Sequence, residues 1–170
     1  MLWFVGLGIS GSKSIPIEAI DVIKKADIVY LEQFTSPISK SDFTKIKKIV
    51  TGEFKPAKRW LVEDGNEILQ NAKKKKVVLL SYGDPYIATT HIELRTRAIE
   101  EKIKTHSIHA SSSLTSMIGE CGLHFYKVGR IATIMSEMKS LTTPYYVIYK
   151  NIIEGNHTCL LYTSPSPRDS

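Results

Sequence analysis

The segment from Lys76 to Tyr82 constrains the fold of this chain more than any other. After the lysine it is apolar nearly throughout (VVLLSY), and Gly83-Asp84-Pro85 ends the run abruptly. A strand that is apolar on both sides belongs inside a sheet covered on both faces, which is the usual position of a strand in a parallel sheet. The run therefore predicts a parallel sheet with helices packed against both of its faces.

The remaining chain alternates between strand-like and helix-like segments, as an α/β protein does. Besides the buried run, strands are predicted over residues 2–5, 27–32, 105–109, 130–135 and from 156 onward. Helices are predicted over residues 16–25, 66–74, 88–103 and 144–154, with one more ending near 119. Residues 43–50 predict a short helix or a turn, and a strand could open at 48–50. The predicted fold class is α/β, with a mostly parallel open sheet and helices on both faces.

Composition and charge exclude several classes of protein. The chain is 42% hydrophobic and 24% charged, which is typical of a globular domain. It has no apolar run near the roughly 18–20 residues of a membrane span. Two cysteines cannot build a disulfide framework, so we expect a cytoplasmic protein without a membrane partner. The net charge of +6 permits a nucleic-acid partner. We expect none, because Lys73–Lys76 is better interpreted as a solvated helix end.

The last residues break the alternating pattern. From Cys159 the chain reads CLLYTSPSPRDS, which resembles an in-frame translation of a sequencing adapter. We therefore expect residues 159–170 to be a non-native tail, and a disordered Ser/Pro tail is the alternative. On this interpretation residues 1–158 form one native α/β domain, and a second domain is missing.

Three loops that follow predicted strands are candidates for a ligand site. They are Gly6-Leu7-Gly8, Gly83-Asp84-Pro85 and Ser111-Ser112-Ser113. Ligands of open parallel sheets bind beyond the carboxyl ends of the strands, and glycine lets the backbone approach a ligand closely. Asp84 would cap the following helix and also accept a hydrogen bond from a ligand hydroxyl or amine. Together the loops predict a small-molecule pocket.

The glycines at positions 6, 8 and 11 match the dinucleotide pattern G-x-G-x-x-G, with Glu32 as a candidate ribose ligand. In that fingerprint a helix opens within the glycines, so that its N-terminus meets a pyrophosphate. Here the predicted helix begins only at Pro16. We therefore interpret the segment as a close approach to a ligand that carries no phosphate.

Other chemistry has little support. The histidines His91, His109 and His124 lack the spacing of zinc ligands, and no Cys-x-x-Cys is present, so we expect no metal. We interpret His91, inside a predicted helix, as a packed or capping residue. The serines lack the context of a nucleophile elbow, so acyl transfer has no support. No catalytic base is assigned.

Several stretches of the chain together form a distinctive set. They are MLWFVGLGI at 1–9, ADIVYLE at 26–32 with TS at 35–36, GDP at 83–85 with ATTH at 88–91, IHA at 108–110, and GLHFYKVG at 122–129. This set resembles the diphthine synthase family, which belongs to the tetrapyrrole-methylase-like class. The Gly-Asp-Pro turn is shared by the whole class, whereas Ala-Thr-Thr-His and Gly-Leu-His-x-Tyr-Lys-x-Gly are more specific to this family.

The resemblance implies a two-domain homodimer that binds S-adenosylmethionine between its domains. The implied activity is repeated methylation of the amino group of a modified histidine on translation elongation factor 2, giving diphthine. This chain has one extra residue between His109 and Gly122, which allows two of the implied cofactor contacts, Ser113 and Leu114, to shift to Ser112 and Ser113. Carried over by motif, the implied cofactor contacts are Ile9, Asp84, Ile87, Ser113 and Leu114.

Two alternatives remain open. One is a sister methylase of the same class that acts on a tetrapyrrole or on ribosomal RNA. The other is a non-catalytic module that binds RNA or protein through its basic surface. We also expect the chain as written to be weakly active or inactive, because half of the implied cleft would be missing.

Overall fold

The central sheet of the computed structural model is built from five parallel strands. They are β1 (Leu2–Gly6), β2 (Ile28–Glu32), β3 (Glu53–Ala57), β4 (Val77–Ser81) and β5 (Thr105–Ile108). Their order across the sheet is β3-β2-β4-β1-β5. The structure describes residues 1–36, 38–135 and 141–163. The predicted fold class is confirmed, and the apolar run lies at the centre of the sheet as β4.

Helices cover both faces of this sheet. They are α1 (Ile17–Lys24), α2 (Lys40–Ile49), α3 (Arg59–Asp64), α4 (Asn66–Lys74) and α5 (His91–Glu100). Helix α6 (Ser113–Glu120) follows β5 in the chain. Because side chains alternate along a strand, Leu2 and Phe4 of β1 face a core with α4 and α5. Val5 faces the opposite core, with α1 and α2.

The connections after β1 and β4 leave the sheet in opposite directions. Helix α1, which follows β1, packs on one face, and α5, which follows β4, packs on the other. The two strands are nevertheless neighbours, paired from Leu2↔Val77 to Gly6↔Ser81. Their carboxyl ends therefore form a topological switch point, the place where open α/β sheets bind ligands.

Helix α3 lies where the sequence pattern predicts no element, and β3 begins at Glu53 rather than at 48–50. Strand β3 carries Pro56 and is mostly exposed or half-buried, so it lacks an apolar signature. It is an edge strand, where proline is tolerated because one side needs no hydrogen bonds. The predicted helix over 88–103 is also shorter, because α5 begins only at His91.

The contacts divide the chain into two units, Met1–Leu114 and Thr115–Ser170. The second contains α7 (Thr142–Ile153) and a separate parallel pair, β6 (Ala132–Met135) and β7 (Leu160–Thr163). The strands predicted at 130–135 and from 156 onward thus do not join the five-stranded sheet. No helix in the described part of the chain has the length and apolar character needed to cross a membrane.

Strand β7 falls inside the segment 159–170 that is predicted to be a non-native tail. Residues 164–170 lie outside the described residues. The non-native origin of this segment, and a cofactor-binding domain over residues 1–158, stay predictions.

Candidate functional site

The loops that follow β1 and β4 are hydrogen-bonded to each other at the switch point. The Gly8 amide donates to the Gly83 carbonyl at 3.1 Å, and the Gly83 amide donates back to the Gly8 carbonyl at 3.0 Å. The Leu7 amide donates to the Ser81 carbonyl at 2.9 Å. The first two predicted loops therefore form one backbone unit, although they are distant in the sequence.

The glycines leave the space that lets the third loop join this unit. A Cβ atom on Gly6 would lie 2.5 Å from the Gly83 carbonyl oxygen and 2.9 Å from the Ala110 Cβ. Gly8 has a φ of +73°, and a Cβ there would lie 3.0 Å from the Ser111 hydroxyl oxygen. Contact this close requires glycine at both positions. The structure thus brings all three predicted loops together.

Asp84 places a buried carboxylate at the centre of this cluster, with 5% of the residue exposed. One oxygen, Oδ1, accepts from the Tyr86 amide at 2.9 Å. The other, Oδ2, accepts from His109 Nδ1 at 2.8 Å and from the Ala110 amide at 3.4 Å. The interpretation of Asp84 as a helix cap is wrong, because α5 begins at His91 and Asp84 closes its own turn. Its unused lone pair can accept from a ligand.

His109 is a site residue that sequence reasoning missed. Since the Asp84 carboxylate accepts from Nδ1, the neutral imidazole presents an unprotonated Nε2. The His109 side chain is 67% exposed, so this nitrogen is accessible. The available signal was its position directly after β5, inside a stretch that matches the resembled family.

Tyr86 supports the loop that carries Asp84. Its ring packs against His109 with centroids 5.8 Å apart, and its hydroxyl lies 2.5 Å from the Ser107 Oγ. Burial raises the pKa of Tyr86, although the hydrogen bond with Ser107 opposes that rise. The phenol therefore stays neutral and acts as a hydrogen-bonding support.

Asp42, also missed from the sequence, fixes the loop that follows the first glycine turn. It accepts from the Ser12 amide at 3.0 Å, the Ser12 hydroxyl at 2.7 Å and the Ser39 hydroxyl at 2.8 Å. These bonds, led by the Ser12 hydroxyl, lower the pKa of Asp42 to about 2. The Ser39 side chain in turn caps α2 through the Asp42 amide, so the Ser-x-x-Asp spacing was the usable signal.

The implied cofactor contacts all lie in loops or at a helix start beyond the carboxyl ends of β1, β4 and β5. Ile9 is 43% exposed, Asp84 is buried, and Ile87 is half-buried. Ser113 and Leu114 open α6, where the Leu114 amide donates to Ser112 Oγ at 3.2 Å. Their role as cofactor contacts stays a prediction.

The structure also bears on dinucleotide binding and metal binding, which the sequence disfavours. Gly11–Lys13 forms a short 3₁₀ turn and α1 begins only at Ile17, which confirms that no helix opens within the glycines. Glu32 is 2% exposed and contacts His91. In the described ranges no three His, Cys, Asp or Glu side chains are grouped as metal ligands.

Comparison with known proteins gives a consistent family. The family model for Tetrapyrrole (Corrin/Porphyrin) Methylases matches residues 1–169. A diphthine synthase from Methanocella arvoryzae is 36% identical over 167 residues, covering 94% of this chain and 64% of the relative. Diphthine methyl ester synthase 2 from Candida albicans is 37% identical over 164 residues, covering 95% of this chain and 54% of the relative.

Among solved structures, a crystal structure of diphthine synthase superposes with a TM-score of 0.87 at 34% identity. The match covers 98% of this chain and 66% of that chain. The chain thus spans between about half and two thirds of the length of these relatives. The switch-point site, the parallel sheet and the family match agree, and the chain belongs to the tetrapyrrole methylase family.

Proposed function

We propose that this protein is an S-adenosylmethionine-dependent methyltransferase of diphthamide biosynthesis. Its substrate would be the modified histidine of translation elongation factor 2, and its product diphthine. The observation that carries the proposal is the bonded pair of glycine loops at the switch point, with the buried Asp84 carboxylate beside it. Relatives named diphthine synthase and diphthine methyl ester synthase support the substrate.

The residues present fit such a cofactor. Gly6 and Gly8 let the three loops pack against one another, which gathers main-chain atoms from all three at one place, and the free lone pair of Asp84 suits a hydroxyl or amine donor. Apolar Ile9, Ile87 and Leu114 lie in or next to the same loops, where they would hold a nucleoside and its side arm. Helix α1, which follows the glycine turn, begins only at Ile17, so its N-terminus does not open within the glycines as in a pyrophosphate-binding loop, which suits a ligand without phosphate.

S-adenosylmethionine supplies a methyl group that is already activated on a sulfonium. The protein therefore needs neither a metal nor strong acid–base chemistry, and its main task is positioning. The backbone pairing between Gly8 and Gly83 fixes the two loops, and Asp84 orients whatever donor it accepts from.

The substrate amine must be unprotonated to attack, and burial in the site would favour its neutral form. His109, with Nε2 exposed at the rim of the loop cluster, is oriented by Asp84. We also propose a cytoplasmic homodimer without a nucleic-acid partner, as the resemblance implies.

The first test is binding of S-adenosylmethionine by isothermal titration calorimetry. The wild-type chain should bind it, and Asp84→Asn should bind at least tenfold more weakly, because the variant loses a charged acceptor. The matched control is Asp21→Asn, an exposed aspartate on α1, which should bind like the wild type. A binding module would show no heat with millimolar cofactor, and would bind RNA in a salt-dependent way.

The second test concerns methyl transfer. A chimera would carry residues 1–158 of this chain in place of the matching part of the Methanocella arvoryzae relative. With methyl-labelled cofactor, it should label elongation factor 2 that bears the modified histidine, and not factor with unmodified histidine. Transfer to a tetrapyrrole or to ribosomal RNA instead would favour a sister methylase.

A further inference from the structure

A buried polar pair joins the end of β2 to the start of α5. Glu32 is 2% exposed and His91 is 1% exposed, and both side chains are inside the protein. His91 Nε2 lies 2.9 Å from Glu32 Oε2, and neither atom has another hydrogen-bond partner among the described residues. Among the described residues, Glu32 has no other ion-pair partner.

The positions of the hydrogen atoms in this pair follow from the groups that contact His91. His91 Nδ1 lies 3.0 Å from the Pro85 carbonyl, which can only accept, so Nδ1 donates. If Nε2 and Oε2 both presented lone pairs at 2.9 Å, they would repel each other. One hydrogen therefore lies between Nε2 and Oε2, so that His91 contacts Glu32 through Nε2 and the Pro85 carbonyl through Nδ1.

The bond to Pro85 spans a strained part of the candidate cofactor loop. Ala88 has a φ of +57°, in the left-handed region that an L-residue rarely adopts. Thr89 Oγ1 and His91 Nδ1, on the far side of Ala88, both donate to the Pro85 carbonyl, at 2.5 Å and 3.0 Å. Such strain persists only where surrounding contacts hold it.

A buried polar pair of this kind need not stabilise the fold. When apolar residues of similar size replace both partners of a buried pair, the fold is often as stable or more so, because polar groups no longer have to be desolvated. The position of the pair, directly joined to the loop that carries Asp84 and Ile87, points to another role.

We propose that Glu32 and His91 are positioning residues that hold residues 83–90 in the conformation that presents Asp84 and Ile87 to the ligand. The binding part of this inference rests on the proposed function. The loop-holding part does not, so the two can be tested separately.

The loop is tested by amide hydrogen exchange of the full chain without any ligand. Glu32→Met and His91→Gln should speed exchange about tenfold at the Gly83 and Tyr86 amides, which donate to the Gly8 carbonyl and to Asp84 Oδ1, whereas the central strands stay protected. Two conservative variants should stay within about threefold of wild type. They are Glu32→Gln, whose amide can still donate to Nε2, and His91→Asn, whose amide replaces Nδ1.

Ligand binding is tested by calorimetry with S-adenosylhomocysteine as the probe. The double variant that replaces both partners by apolar residues, Glu32→Met with His91→Leu, should bind about tenfold more weakly than Glu32→Gln while its thermal midpoint is equal to or above that of wild type, a split that a merely structural pair would not produce. If the wild type binds no probe, the proposed function fails while the exchange data still decide on the pair. Unchanged loop exchange in both Glu32→Met and His91→Gln, or a uniform loss of protection, overturns the inference.

Discussion

Single residues at the switch point act through the space and the hydrogen bonds they leave available. Gly6 and Gly8 have no Cβ, and that is why three loops can touch. Asp84 and Asp42 each accept several hydrogen bonds. Asp84 thereby fixes the loops after β4 and β5, and Asp42 fixes the loop after β1. At this scale the protein holds backbone in place with short polar side chains rather than with large ones.

Gly6→Ala should destabilise the fold. The added Cβ would lie 2.5 Å from a backbone carbonyl that cannot move without breaking the Gly8–Gly83 pairing. We expect a loss of about 1–3 kcal/mol in the free energy of unfolding, as overpacking typically costs, measured by equilibrium urea denaturation. The control is Gly119→Ala in α6, where no atom lies within 4 Å. That variant should be neutral or stabilised by up to about 1 kcal/mol, since alanine favours helix.

Asp42→Asn should change how stability depends on acid. The folded pKa of Asp42, about 2, lies below its ordinary value of 3.8, so ionised Asp42 stabilises the fold above pH 3.8 and this contribution is lost as the pH falls through 2. Thermal midpoints of wild type and variant should therefore differ fully at pH 6 and converge near pH 2. The exposed Asp21→Asn serves as a control and should follow the wild-type curve. A gap between Asp42→Asn and wild type that persists at pH 2 would contradict this account.

At the scale of elements, β4 determines the layers of the fold. All five of its residues are buried, and its two sides contribute to two different cores. Helix α5 contributes only one face to a core, through Leu94 and Ala98, and leaves Ile99 54% exposed. A change in β4 should therefore cost more than a change of the same kind on the outer face of α5.

Leu79→Ala in β4 should lower the free energy of unfolding by about 2–5 kcal/mol, because it removes buried apolar contacts and leaves a cavity. Leu79 is 1% exposed. Ile99→Ala deletes a side chain of similar size at an exposed site and should cost less than about 1 kcal/mol. Urea denaturation of both variants measures the difference. Equal losses would show that β4 is not the central buried strand.

At the scale of the whole molecule, the first unit contains the complete five-stranded sheet, both cores and the candidate site. Residues 1–114 provide every strand of that sheet and every residue of the two cores. A domain of this size normally has enough buried surface to fold independently. The site should therefore not depend on the second unit for its folding.

A chain of residues 1–120, which keeps α6 whole, should fold by itself. We expect a single cooperative thermal transition by circular dichroism and well-dispersed amide signals by NMR. A chain of residues 1–103 is the matched control, because it lacks β5 and uncovers one side of β1. It should lose the cooperative transition. Failure of the longer piece to fold would show that the second unit completes the core.

The sequence by itself determined the class of fold and the identity of the candidate loops. The apolar run of β4 and the amphipathic pattern of α4 are local signals, and the structure places these elements at Val77–Ser81 and Asn66–Lys74. Pro16 likewise predicts the late start of α1, which begins at Ile17. These features follow from neighbours in the chain, because periodicity and turn chemistry act over a few residues.

Only the tertiary structure decided how the loops meet. The pairing of Gly8 with Gly83, the contact of Asp84 with His109 and the burial of Glu32 against His91 join residues far apart in sequence. Edge strand β3, with Pro56 and little apolar character, is a strand because β2 supplies its hydrogen bonds. The physical reason is common to all four. A polar group becomes buried, or a weak segment becomes ordered, only when a partner from a distant segment satisfies its hydrogen bonds, and no local pattern records that partner.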